Sequence, residues 1–146
     1  ERFSSMKKLL NAAFAYGLAG ILAGLAYQLL LQVWCCPEYA PLAGVHSHLL
    51  VMGMLLFLVL LALEKVLHLT CDHGFCAFYI TYNVGLAGAA IVMALNSLEY
   101  LCALPYELTW FLCFLGAAFH ILLAVGLGLL YGVLRRRIRA CSCSAH

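Results

Sequence analysis

The chain has 146 residues, of which 66% are hydrophobic and only 10% are charged, and its formal net charge is +2. A water-soluble domain of this length does not need so much apolar surface, so the composition argues against a soluble enzyme or binding domain. The small positive charge gives no indication of nucleic-acid binding, and no nucleic-acid partner is expected. A mean hydropathy of +1.03 instead indicates an integral membrane protein.

Four long apolar runs predict four transmembrane helices, at residues 9–33, 43–63, 78–101 and 108–134. Each run approaches or exceeds the ~20 residues that a helix needs to cross ~30 Å of hydrocarbon. The connections are short, so consecutive helices are expected to pack against each other in opposite directions. The sequence therefore predicts one all-α domain, an antiparallel up-down-up-down four-helix bundle in the membrane.

The charges predict how this bundle is oriented. All eight Lys and Arg residues fall on one side, in the amino terminus, the central connection and the carboxy terminus. The other two connections carry Glu38, Glu99 and Glu107 and no basic residue. The positive-inside rule then places both termini in the cytoplasm. The basic run "LRRRIR" is interpreted as a topology anchor, with a lipid-headgroup or partner site as the alternative.

Small residues mark where the predicted helices can approach one another. Close helix packing is the simpler interpretation, and room for a flat cofactor is the alternative. The positions concerned are Gly17, Gly20 and Gly24 in the first helix, Gly85, Gly88 and Ala89 in the third, and Gly116, Ala117, Gly128 and Gly132 in the fourth.

The second predicted helix carries two histidines, His46 and His48, in the stretch "AGVHSHLLVMGM". Successive helical residues turn by about 100°, so these imidazoles point to nearly opposite faces and cannot chelate one ion together. Two different partners are therefore expected for them.

A third histidine, His120, lies in the fourth predicted helix. His48 is 17 residues before Lys65 and His120 is 15 residues before Arg135, so both stand about 22–26 Å from the same boundary. Two imidazoles at one level on facing helices can ligate a haem iron from both sides. Gly44 and Gly116, each one turn before its histidine, would leave room for a porphyrin edge. The alternative is that these histidines only form hydrogen bonds between helices.

Other polar residues lie toward the outer ends of the first and third helices. Interfacial anchoring and hydrogen bonds between helices are the simpler interpretation, and contacts to haem propionates or a quinone headgroup are the alternative. These residues are Tyr27, Gln28, Gln32, Asn96, Ser97 and Glu99.

The eight cysteines divide by side of the membrane. Cys35, Cys36 and Cys102 are expected at the outer face, and Cys113 about a turn and a half inside the fourth helix. Cys102 is the natural disulfide partner for one of the adjacent pair if the outer side is oxidising. The inner face holds four thiols, which could form a zinc site, although neither spacing is the common C-x-x-C and reduced thiols are the alternative. These four are Cys71, Cys76, Cys141 and Cys143.

The segment "HSHLLVMG" resembles the H-x-H helix of haem-copper oxidase and nitric oxide reductase catalytic subunits. The resemblance implies that His48 binds a low-spin haem and that His46 occupies the position of the high-spin haem ligand. The sequence offers no further histidine cluster for a copper site. Most of the chain, from "MKKLLNAAFAYG" onward, also resembles a small bacterial family of four-helix membrane proteins with a domain of unknown function. A multi-pass protein of a bacterial plasma membrane is therefore expected.

We therefore expect a membrane protein that binds haem b and serves electron transfer or redox sensing, rather than a stand-alone oxidase or reductase. A quinone or a redox protein is the expected electron partner, and a second copy of the chain is a further candidate partner within the lipid. One alternative is a transition-metal or ion carrier that uses His46, His48 and Glu107. The other is a non-catalytic membrane subunit.

Overall fold

The structure, a computed structural model, describes residues 2–34, 41–102 and 106–143. In these residues the chain forms five α-helices, a π-helix and a short 3-10 turn. The α-helices are α1 (Arg2–Trp34), α2 (Pro41–Ser47), α3 (Leu56–Leu67), α4 (Phe75–Cys102) and α5 (Tyr106–Cys143). The π-helix, His48–Leu55, joins α2 to α3 without a break, so these three elements form one span, called here the second span. The 3-10 turn, Leu69–Cys71, lies in the central connection between α3 and α4.

Four helical segments are long and apolar enough to cross a membrane, as the sequence predicts. They are Ser5–Leu30, Ala43–Leu67, Phe75–Leu98 and Leu108–Ser142. Large apolar side chains point outward from them, for example Phe14, Phe114 and Ile121. A surface with so many exposed apolar side chains is suited to lipid rather than to water.

The first and last helices are longer than the predicted apolar runs. α1 begins at Arg2, and α5 continues through the basic run to Cys143. The 38 residues of α5 give a helix about 57 Å long, which exceeds the thickness of a bilayer core. Its basic end is held against the central connection, because Arg136 donates two hydrogen bonds to Asp72, at 2.7 and 2.9 Å. Arg137 also donates to the carbonyl oxygen of Leu67 at 2.8 Å.

An aromatic cluster forms the centre of the core. Phe57 of α3 is fully buried, and its ring stacks on Tyr16 of α1 at a centroid distance of 5.8 Å. It also meets the rings of Tyr79 and Tyr82 of α4 edge-on, at 5.8 and 6.1 Å. The Tyr16 hydroxyl donates to the Asn83 side chain at 2.7 Å, so a polar bond crosses the same core. One cluster thus joins three spans.

Glycines allow the tightest approach between α4 and α5. A Cβ atom on Gly85 would lie 2.9 Å from the backbone nitrogen of Leu123, and one on Gly126 would lie 3.1 Å from the Cα atom of Tyr82. Gly128 differs, because nothing lies within 4 Å of its Cβ position. Of the small residues in the fourth span, Gly126 therefore contributes to close helix packing and Gly128 does not.

The helices do not all pack on one another equally. α1 packs on the second span, and α5 packs along α4. α5 contacts α3 of the second span and the 3-10 turn of the central connection. Farther from that connection, α5 stands apart from α2 and the π-helix. We call the space between them the histidine cleft, after the two side chains that face each other across it.

Candidate histidine cleft

The π-helix begins at His48. The backbone N–H of Leu56 bonds to the carbonyl of Val51, five residues earlier, which is the π-helical spacing. π-helical segments are rare and are frequently found at functional sites. Here the hydroxyl of Tyr82, a buried residue of α4, donates to the Met52 carbonyl oxygen at 3.0 Å, so another span supports this irregular turn.

His48 and His120 are oriented in the same way. The Nδ1 atom of His48 bonds to the Gly44 carbonyl oxygen at 2.8 Å, and that of His120 to the Gly116 carbonyl oxygen at 2.7 Å. A carbonyl oxygen only accepts, so each Nδ1 carries the proton. In a neutral imidazole the Nε2 atom then has a free lone pair, which is the arrangement typical of metal-binding histidines.

The structure brings His48 and His120 together. Their ring centroids lie 6.0 Å apart, and the ring planes are nearly perpendicular, at 84°. When two imidazoles bind one metal from opposite sides, each metal–nitrogen bond is about 2 Å long. With the distance from each nitrogen to the centre of its ring added, the ring centroids of such a pair are also about 6 Å apart. His48 is half-buried and His120 is exposed on the outer surface of the helices. The pair is therefore the place in the described residues where two imidazoles of different spans come close to each other.

The wall of the cleft is formed by α4. The Met93 methyl group lies against Gly44, in the space that a Cβ atom would occupy, and the Val92 Cγ1 atom lies 3.4 Å from the Cβ position of Gly116. The room that the sequence predicts at Gly44 is thus filled by Met93. A methionine side chain is flexible and can move to admit a ligand. Met93 and Val92 give this wall an apolar surface.

His46 points away from this cleft, toward α1. Its Nδ1 atom bonds to the Gly20 carbonyl oxygen at 2.8 Å, and its ring lies against Gly24. The partner of His46 in the structure is therefore the backbone of another span. The predicted use of opposite faces by His46 and His48 agrees with this geometry. The Glu107 side chain lies outside the described residues.

The cysteines whose side chains the structure describes are all exposed, Cys113 of α5 among them. Cys71 and Cys76 are free and exposed, and Cys141 is exposed. In the part of the chain that the structure describes, no three His, Cys, Asp or Glu side chains are grouped to hold a metal ion. The Cys143 side chain lies outside that part, so the four-thiol zinc site stays a prediction. The predicted outer disulfide does too, because Cys35, Cys36 and the Cys102 side chain are not described.

Sequence reasoning missed Glu64, which it assigned to the central connection. Glu64 is fully buried at the end of α3. Both its carboxylate oxygens accept hydrogen bonds from Thr70, one from the backbone N–H at 2.9 Å and one from the hydroxyl at 2.6 Å. These bonds fix the turn that follows α3. Burial of an acidic side chain next to Lys65 has no local signal, because it depends on the fold of the connection.

A cavity of about 420 Å³ lies beside the central connection, well away from the histidine cleft. Its polar lining includes Lys8, Thr70, Cys71, His73 and Cys76. The cavity shares no lining residue with the histidine cleft.

Two buried polar atoms lack a hydrogen-bond partner among the described residues. They are Nδ1 of His68 and Oδ1 of Asn96. His68 ends α3 in the left-handed conformation, with φ of 52°, near the central connection. Asn96 lies near the opposite end of α4, so the two atoms belong to different parts of the molecule.

Comparison with known proteins gives one match. The family model described as "Protein of unknown function (DUF2871)" matches residues 6–137. Comparisons with curated proteins and with solved structures found no match. The match covers nearly all of the four segments that are long and apolar enough to cross a membrane, and leaves out only Ser5 and the last residues of the fourth segment. The chain therefore belongs to the family of proteins of unknown function DUF2871.

Proposed function

We propose that this protein binds haem b between His48 and His120 and serves electron transfer or redox sensing in a bacterial plasma membrane. The observation that carries the proposal is the 6.0 Å separation of two imidazoles whose Nδ1 atoms are both held by backbone carbonyls. In the proposed arrangement the four spans form an up-down-up-down bundle with both termini in the cytoplasm. The distribution of basic residues supports this orientation.

The residues of the cleft have separate tasks. His48 and His120 would present Nε2 atoms to the iron, and the Gly44 and Gly116 carbonyls keep the rings in the required tautomer. The apolar α4 wall excludes water from one side. A haem held by two histidines supplies one-electron transfer and has no open position for a substrate.

The role given to His48 rests on its distance to His120 and not on the H-x-H resemblance, which the comparisons with curated proteins and solved structures do not support. His46 is bonded to α1, so it is not proposed as a second haem ligand. The sequence offers no histidine cluster for copper, so oxygen or nitric oxide reduction is not proposed. A quinone or a redox protein is proposed as the electron partner. The ion-carrier alternative loses support because His46 and His48 face different spans.

A series of three substitutions tests the proposal. His48→Ala and His120→Ala should each abolish the six-coordinate low-spin absorption spectrum of the haem-loaded protein, because each removes one axial ligand. His46→Ala is the matched control and should keep that spectrum. Retention of the wild-type spectrum by all three variants would refute the proposal. If His46→Ala alone lost the haem, the haem would bind to the face of the second span that carries His46, and not to the face that carries His48.

A further inference from the structure

We propose that Asn96 receives a carboxylate side chain of the porphyrin bound in the histidine cleft. The acidic edge of the cofactor then faces the end of the cleft toward which α4 ends and from which α5 begins. This inference rests on the proposed function, since it needs a porphyrin between His48 and His120. It adds a polar subsite and a direction of insertion to that function.

The position of Asn96 follows from contacts on the same face of α4. Met93 lies against Gly44, and Val92 is near Gly116, so this turn of α4 stands beside both glycines. Each glycine is one helical turn from its histidine, on the side away from the central connection. Asn96 follows Val92 and Met93 by one further turn in the same direction. It thus lies about two turns, on the order of 11 Å, beyond the level of the imidazoles.

The amide of Asn96 has an unused hydrogen-bonding end. Its Oδ1 atom is buried without a partner among the described residues, and a buried amide without a partner is unfavourable. A half-turn of the amide exchanges its oxygen and nitrogen, so the NH₂ group can occupy that position. An NH₂ group donates, and a carboxylate only accepts. A cofactor carboxylate would therefore complete the bonding of Asn96.

Neighbouring polar groups do not offer the same donor. Ser97, the next residue, donates its hydroxyl to the Met93 carbonyl at 2.9 Å, so its hydrogen is used within α4. The sequence has no Lys or Arg between residues 66 and 134, so no cation from the span segments is available at this end. His68, the other residue with an unpaired buried atom, lies near the central connection. A carboxylate here must therefore be held by neutral donors.

The experiment compares haem b with its dimethyl ester, in which both carboxylates are masked. Each is titrated into the purified wild-type protein, Asn96→Leu, which has a similar volume, and the control Ser97→Ala. We expect Asn96→Leu to bind haem b about tenfold more weakly than wild type while keeping the low-spin spectrum. The ester should show a smaller difference between wild type and Asn96→Leu, because an uncharged ester carbonyl is a weaker hydrogen-bond acceptor than a carboxylate. Ser97→Ala should behave as wild type with both porphyrins.

A second variant covers the case in which Asn96→Leu does not fold. Asn96→Asp places a carboxyl group against the cofactor carboxylate. This substitution should therefore weaken the binding of haem b more than it weakens the binding of the ester. Equal affinity of all variants for haem b, with wild type still binding it in the low-spin form, would overturn the Asn96 assignment and leave the proposed function standing. Failure of wild type to bind either porphyrin would overturn both.

Discussion

Three histidines in the apolar spans use the same ring nitrogen for a hydrogen bond, and two of them are the haem ligands that we propose. In each, Nδ1 donates to the carbonyl oxygen of a glycine, and the absence of a side chain leaves that carbonyl accessible. His46 bonds across to another helix, whereas His48 and His120 bond within their own helices. These bonds involve only the Nδ1 atoms of His48 and His120, and the centroids of the two rings lie 6.0 Å apart. Ionisable side chains within apolar spans are rare and usually functional, which supports the shared ligand that we propose for the pair.

Asp72 provides a pH-dependent contact at the residue scale. Its side chain is only 6% exposed, and the hydrogen bonds from Arg136 hold the pKa of its carboxyl group well below the usual range. A lowered pKa in the folded protein means that the ionised carboxylate stabilises the fold. This contribution is complete above the pKa of an unfolded aspartate, about 3.9, and is lost as the pH falls below that value.

We expect Asp72→Asn to unfold at a lower temperature than wild type at pH 7, and the difference should narrow as the pH falls below about 4. Thermal unfolding in detergent between pH 3 and pH 7 measures this effect. Arg136→Gln should behave like Asp72→Asn, while Arg135→Gln, on the exposed neighbouring position, should stay close to wild type. A difference that is constant across this pH range would contradict the assignment.

The π-helix is the element that most directly sets the position of His48. A π-helix has more residues per turn than an α-helix, so conversion to an α-helix would rotate one end relative to the other by up to about 100°. The Tyr82 hydroxyl bonds to the Met52 carbonyl within this segment and stabilises it from α4. An α-helix through these residues would turn His48 away from His120 if the α3 end stayed in place.

We expect Tyr82→Phe to destabilise the fold by about 1 kcal/mol, the usual contribution of such a hydrogen bond. The haem-loaded variant should also show a mixture of low-spin and high-spin species, because His48 is less firmly placed. Tyr79→Phe is the matched control, since Tyr79 belongs to the same aromatic cluster but its hydroxyl has no such bond to the π-helix. Equal spectra for the two variants would show that the Tyr82 hydroxyl does not position His48.

At the scale of the whole molecule, local signals in the sequence predicted the spans and the faces of the histidines. Hydropathy is a property of short stretches, and the turn between His46 and His48 follows from helix geometry alone. The sequence could not show that α2 continues into a π-helix, because this depends on Tyr82, 30 residues from Met52. The extension of α5 depends likewise on contacts between Arg136 and Asp72, 64 residues apart. Long-range contacts of this kind carry no local pattern.

The proposed orientation makes a prediction for intact cells. A variant that retains only Cys71, which is exposed in the central connection, should not react with a membrane-impermeant maleimide until the cells are opened. A variant that retains only Cys35, in the predicted outer connection, should react in intact cells. Labelling of Cys71 from outside would reverse the orientation and place both termini on the outer side.

The central claim is that His48 and His120 hold one haem with no open coordination position. The most direct measurement is the absorption spectrum of the purified wild-type protein, oxidised and reduced, with its haem content per chain and its response to carbon monoxide. We expect one haem b per chain, low-spin spectra in both oxidation states, and no change when carbon monoxide is added to the reduced protein. A colourless protein, or a reduced haem that binds carbon monoxide at once, would contradict the claim.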